Sequence, residues 1–175
     1  MRIIAIILCI SVSISAKSQL NSITNASFLI LGQISQKSNS TQVIDSALNF
    51  GKKLIGHRYK YGGSSLSGFD CSGFISYIFR KYGCTFPHSS RAYSQIGETI
   101  CKDSIKTLRK GDILLFKGLN SKSTRIGHVS IVVEASESQI LMLHSCCDKG
   151  VAIENYTTSE YYPKRLIAIR RITAL

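Results

Sequence analysis

Acidic residues are scarce in this chain. Ten Asp and Glu stand against 22 Lys and Arg, leaving a formal charge of +12 over 175 residues. Such a balance points to an anionic partner: a nucleic acid, an anionic membrane surface or an acidic polymer. A second absence disfavours nucleic acid. No run of five or more basic residues occurs, and aromatics do not interleave with the basic ones in the manner of an RNA-binding surface. Tryptophan is missing, and so is any internal repeat, which excludes a solenoid. The apolar runs are shorter than the ~20 residues a spanning helix needs, so no stable membrane insertion is expected. No two cysteines carry the two-residue gap of a zinc motif. A set of Cys146, Cys147, His144 and His128 has ligand-type residues, but adjacent cysteines do not chelate one ion readily, and no metal or other cofactor is expected.

What is present describes a folded, exported chain. Hydrophobic residues make up 44% of the sequence, enough for a core in one domain of this length. Met1-Arg2 precedes an apolar stretch from Ile3 to Ile14, followed by Ser15, Ala16 and Lys17. This is the layout of a secretory signal peptide over residues 1–16, and it implies a secreted or periplasmic protein. Leu8 before Cys9 is too large for a lipoprotein signal. Residues 17–42, rich in Ser, Asn, Gln and Thr, are expected to form a polar linker, with the domain over 43–175. Five cysteines remain after the signal peptide, an odd number that leaves a thiol unpaired; Cys84 and Cys101 are a possible disulfide.

A helix is expected from near Thr41, with Val43, Ile44, Ala47 and Leu48 on one face and Leu54 and Ile55 following. A second carries the apolar stripe Phe74, Ile75, Ile78, Phe79 and Tyr82, with Asp70 as N-cap and Gly83 as its stop. Cys71 then lies in the first turn. After Gly111 the texture changes to strands: Asp112 to Phe116, Gly127 to Glu134, Gln139 to His144, Val151 to Tyr156 and Leu166 to Ile172. Helices followed by a run of closely connected strands imply an α+β fold with N-terminal helices packed on a C-terminal antiparallel sheet.

A cysteine nucleophile works as its thiolate, whereas a free thiol has a pKa of about 8.5. The positive end of a helix favours the anion, and so does a histidine that takes the proton. Cys71 has the first by position; His128 and His144 supply a base and a group to orient it. A thiolate–imidazolium pair should lose activity in acid. Cysteine on a helix followed by histidines on strands is the chain order of papain-like enzymes.

Four segments make the resemblance specific: Tyr59-Lys60-Tyr61-Gly62-Gly63, Phe69-Asp70-Cys71-Ser72-Gly73-Phe74, Gly111-Asp112-Ile113-Leu114-Leu115-Phe116 and Gly127-His128-Val129-Ser130-Ile131-Val132. Together they resemble the NlpC family of cell-wall cysteine peptidases, over about Ile44 to Ile172. The resemblance implies a papain-like fold and hydrolysis of the γ-D-glutamyl–diamino acid bond of peptidoglycan stem peptides. It implies Cys71 as nucleophile, His128 as general base and His144 as the residue that orients the base. It also implies Tyr59 at the oxyanion or substrate, Asp70 as a site for a free amine in competition with helix capping, and Ser72 and Ser89 lining the groove. His88 stands where the family often has Arg. The alternatives are an N-acetylmuramoyl-L-alanine amidase of the CHAP type and a non-catalytic wall-binding module. In both, as in the peptidase, the basic surface would attract anionic wall polymers.

One geometric expectation follows. The strands holding His128 and His144 should form a hairpin with both imidazoles on one face. Direct pairing of the two would set Val132 opposite Ile140 and centre the turn on Ser136. A four-residue loop from Ala135 to Ser138 would place them on opposite faces unless a bulge intervened.

Overall fold

A computed structural model describes residues 29, 31–33, 39–120, 122–173 and 175. The chain divides into two compact units, Met1–Asn39 and Ser40–Leu175. The expected signal peptide lies outside the described residues. Within the expected linker, residues 29, 31–33 and 39–42 are helical. Among the described residues, no helix is long and apolar enough to cross a membrane.

Helix α1 covers residues 39–52 and buries Ile44, Ala47 and Leu48. Leu54 is buried beyond it, whereas Ile55 is exposed rather than part of the stripe. A two-stranded hairpin of β1 (Ser64–Ser65) and β2 (Gly68–Phe69) leads into α2 (Cys71–Arg80). Phe74, Ile75, Ile78 and Phe79 are all fully buried on α2, the stripe their spacing predicts. Gly83 adopts φ 78° just past the helix, a left-handed conformation that ends it.

The main sheet contains β3 (Glu98–Ile100), β4 (Ile113–Lys117), β5 (Ile126–Ala135), β6 (Ile140–Cys146), β7 (Gly150–Asn155) and β8 (Leu166–Arg171). Its order is β3-β8-β4-β5-β6-β7, and every pairing is antiparallel. Side chains of β4 alternate between two cores. Ile113 and Leu115 join Val129, Ile131 and Leu143 under α2; Leu114 and Phe116 join Val132, Met142 and Tyr162 on the other face. Burial on both faces explains the near-continuous apolar runs.

Asp112 ties the sheet together. Its side chain, 2% exposed, accepts hydrogen bonds from Arg171 Nε at 2.8 Å and Arg171 Nη2 at 2.7 Å, and from the Arg109 backbone N–H at 2.8 Å. The Gly111-Asp112 segment is therefore an anchor between the start of β4 and the end of β8.

Candidate active site

The Asp70 carboxylate builds the start of α2. Oδ1 accepts from the Gly73 N–H at 2.6 Å and from Ser72 Oγ at 3.0 Å. Oδ2 accepts from the Gly62 N–H at 3.1 Å and meets His88 Nε2 at 2.9 Å. Gly73 has no room for a side chain, since a Cβ there would fall 2.1 Å from the Gly63 carbonyl oxygen. Two of the motif glycines thus let the helix start lie against the preceding loop, which sets the position of Cys71.

Cys71 is 7% exposed and lines a cleft of about 830 Å³ together with His128, Tyr59, Tyr61, Cys147 and Tyr161. Burial pushes its thiol up to about 11; the backbone at Val129, Ser72 and Cys71 itself pulls the other way, and Asp70 adds to the rise. Burial, and then the neighbouring His144, hold His128 well below the usual imidazole range, with Glu154 opposing and Arg165 adding to the depression. Both shifts favour a neutral thiol and a neutral imidazole in the unliganded cleft, against the expected thiolate–imidazolium pair, because desolvation opposes the helix terminus.

His128 reaches the cleft through a constrained backbone. A Cβ at Gly127 would lie 2.5 Å from Gly118 Cα, at the point where the β4–β5 register shifts. His128 Nε2 lies 2.8 Å from His144 Nδ1, with the rings at 73°. His128 Nδ1 is thus the ring nitrogen that does not face His144. The two histidines are on neighbouring antiparallel strands and on one face, but they do not pair directly. Ile131 faces Leu143 and Val132 faces Met142, whereas Ala135 faces Ile140, so Val133 is a bulge. Ser136–Gln139 form a four-residue loop closed by Ser136 N–H to Gln139 C=O at 2.9 Å. The expected Val132–Ile140 pairing is corrected accordingly: the loop is even, the bulge restores parity, and His144 lies diagonally across from His128.

His144 is fully buried, and its Nε2 lies 2.8 Å from Glu154 Oε2. Tyr162 donates its hydroxyl to the same oxygen at 2.7 Å, and Lys149 pairs with Oε1. The hydrogen bond from His144, with those from Lys149 and Tyr162, holds Glu154 below the usual carboxylate range against the effect of burial. Sequence reading missed Glu154, Tyr162 and Lys149. The one available signal was register, since β7 sets Ala152 opposite His144 and Glu154 opposite Met142, again a diagonal neighbour on the same face.

The other expected site residues separate. Tyr59 lines the cleft, and burial together with Cys147 and Cys71 raises its hydroxyl pKa. Asp70 has both oxygens engaged, including one on His88. Ser72 is buried, its hydroxyl spent on Asp70, and Ser89 is exposed; neither lines the cleft. The five described cysteines carry free thiols, so Cys84 and Cys101 are not bridged. His144, Cys146 and Glu154 each bring one ligand atom within 4.8 Å of the others, a different set from the one the sequence offers. Two of its members are already spent on each other.

The NlpC/P60 family profile matches residues 56–171. The chain belongs to the NlpC/P60 family. It is 32% identical over 173 residues to a Bacillus subtilis protein named gamma-DL-glutamyl hydrolase, covering 98% of this chain and 36% of that one. It is 34% identical over 137 residues to the gamma-D-glutamyl-L-lysine dipeptidyl-peptidase of Bacillus subtilis, covering 78% and 42%. It is 30% identical over 118 residues to the murein DD-endopeptidase MepS/murein LD-carboxypeptidase of Escherichia coli, covering 67% and 56%. The chain thus spans between about a third and just over half of these relatives' lengths. Among solved structures, an NlpC/P60 family protein from Bacillus cereus superposes with TM-score 0.61 at 30% identity, over 74% of this chain and 40% of that one. The α+β, papain-like architecture is that of the family.

Proposed function

We propose that this chain is an exported cysteine endopeptidase that hydrolyses the γ-D-glutamyl–diamino acid bond of peptidoglycan stem peptides. The observation that carries this reading is the convergence of Cys71, at the start of α2, and His128, backed by His144, in one cleft. Two relatives named for γ-glutamyl chemistry support the bond, and the charge of +12 suits an anionic wall. Because the pair rests neutral, the Cys71 proton moves to His128 Nδ1 as the sulfur attacks the amide carbon. The Cys71 backbone N–H, in the first helical turn and without an intrahelical acceptor, and the Tyr59 hydroxyl would stabilise the oxyanion. His128 then protonates the leaving amine, and water, activated by His128, cleaves the thioester. Asp70 can receive a substrate amine only by giving up His88, so its role in the unliganded enzyme is the cap; Ser72 supports Asp70, and Ser89 is a rim contact at most.

Mass spectrometry of peptidoglycan fragments after digestion tests the proposal, with Cys71→Ala as control. The expected products carry a free γ-carboxyl on D-glutamate and a free diamino acid amine. Release of intact stem peptides from the sugar would indicate the amidase. Sedimentation with cell wall without any product would indicate a binding module.

A further inference from the structure

Hydrogen-bond polarity along the histidine pair decides whether His128 can act at all. With both imidazoles neutral, two arrangements satisfy the 2.8 Å contact between His128 Nε2 and His144 Nδ1. In the first, His128 donates from Nε2–H to a bare His144 Nδ1, and His128 Nδ1 is bare toward Cys71. In the second, His144 donates from Nδ1–H, His128 Nε2 accepts, and the proton of neutral His128 sits on Nδ1. Only the first has a base facing the thiol. Position alone does not choose between them, because neutral imidazole carries either tautomer.

Glu154 chooses. Its Oε2 lies 2.8 Å from His144 Nε2, and an ionised carboxylate can only accept. The proton of neutral His144 must then sit on Nε2, which leaves Nδ1 bare and forces His128 to donate. Tyr162 donates to the same oxygen and Lys149 holds the other, so the carboxylate is fixed at both ends and kept ionised. We propose that Glu154 is the positioning residue that sets the polarity of the His144–His128 relay and thereby makes His128 Nδ1 the general base. This rests on the Cys71–His128 reading of the active site.

The groups facing the relay define its pH behaviour. His128 faces His144, Glu154 and the Arg165 charge; Glu154 faces His144, Lys149 and Tyr162, with Cys146 close by. Glu154 is the one negative charge that raises His128, against the Arg165 charge. Glu154→Gln keeps an acceptor for His144, because the two donors Tyr162 and His144 at the Oε2 position draw the amide oxygen there against the single donor Lys149; it removes the charge. Glu154→Ala removes both acceptor and charge.

Three measurements test this on the full chain. Long-range ¹H–¹⁵N NMR of the imidazoles should show the wild-type protein with Nε2 protonated and Nδ1 bare on both histidines. In Glu154→Ala, His144 should populate the Nδ1–H tautomer, and kcat should fall on the order of 10²-fold with little change in KM. Glu154→Gln should keep the wild-type tautomers and most of kcat, with the acid limb of its pH profile moved lower. The alkylation rate of Cys71 by iodoacetamide, read by peptide mapping, should fall in Glu154→Ala whatever the natural substrate is. A wild-type His144 protonated at Nδ1 would overturn the proposal, as would wild-type tautomers and alkylation in a folded Glu154→Ala. Because NMR and alkylation need no substrate, inactivity of the wild-type enzyme on stem peptides would defeat the proposed function without deciding the relay.

Discussion

Asp112 lies in one of the four segments that carry the family resemblance, yet its geometry assigns it to stability. Asp112→Ala removes three hydrogen bonds and leaves Arg171, whose side chain is 19% exposed, without its carboxylate partner and with only the Thr107 carbonyl to accept from Nη2. Breaking a buried pair from one side costs about 3–5 kcal/mol. Water reaches part of Arg171, so the lower end applies, and a net loss of about 3 kcal/mol is expected. For a unit of this size, each kcal/mol shifts the melting temperature by roughly 3–4 °C, which gives a fall of about 10 °C. Urea unfolding should show a lower midpoint with an unchanged slope. The charge left behind accounts for most of this loss. The double variant Asp112→Ala/Arg171→Met should therefore be more stable than Asp112→Ala alone. Asp112 does not line the cleft, so the folded single variant should keep kcat/KM near the wild-type value below its melting temperature. Loss of activity with an unchanged melting temperature would refute the assignment and place Asp112 in the chemistry.

Three further outcomes are expected. Cys71→Ala should abolish hydrolysis while circular dichroism and melting stay native, whereas Cys84→Ala should retain activity; loss in both, with folding intact, would remove Cys71 from its role. Gly73→Ala brings a methyl group against the Gly63 carbonyl and His88 Nε2, and calorimetry should show a loss of about 3 kcal/mol together with lower activity, because the helix start must move. The pH profile of kcat/KM should be a broad neutral plateau: His128 is depressed, so its protonation switches the enzyme off only below the ordinary imidazole value of about 6.5, and Cys71 is raised, so ionisation of the thiol alters the resting pair only in alkali. An acid limb centred above that value would contradict the neutral resting pair.

Much of this architecture was legible in the sequence because its signals are local. The stripe on α2, its cap at Asp70, its stop at Gly83 and the five apolar strands each follow from residues within one element. Strand β3 was not legible: Glu98, Thr99 and Ile100 are three residues, mostly exposed, with no apolar pattern, and they form a strand only because β8 offers an edge. The same division holds at the site. Cys71, His128 and His144 stand in distinctive local contexts, whereas Glu154 is an ordinary acidic residue on a weak strand. Its importance arises only when β7 pairs with β6. Likewise, the thiolate expected at Cys71 followed from the helix terminus and a partner histidine, while desolvation depends on everything packed around it.

The hairpin shows how chemistry and fold constrain one another. A tight four-residue loop, taken alone, sends His128 and His144 to opposite faces, and an odd loop centred on Ser136 would pair them directly. The chain instead keeps the even loop and spends one residue, Val133, on a bulge. Direct pairing would hold the two Cβ atoms about 4.5–5.5 Å apart, whereas diagonal neighbours stand farther apart, roughly 7–8 Å with somewhat less between Cβ atoms. That spacing accommodates ring centroids at 5.0 Å and a single 2.8 Å hydrogen bond. The same diagonal step, repeated from β6 to β7, brings Glu154 to the far nitrogen of His144. A relay of three side chains on three adjacent strands is thus produced by two diagonal offsets, and the bulge supplies the parity that the first of them requires.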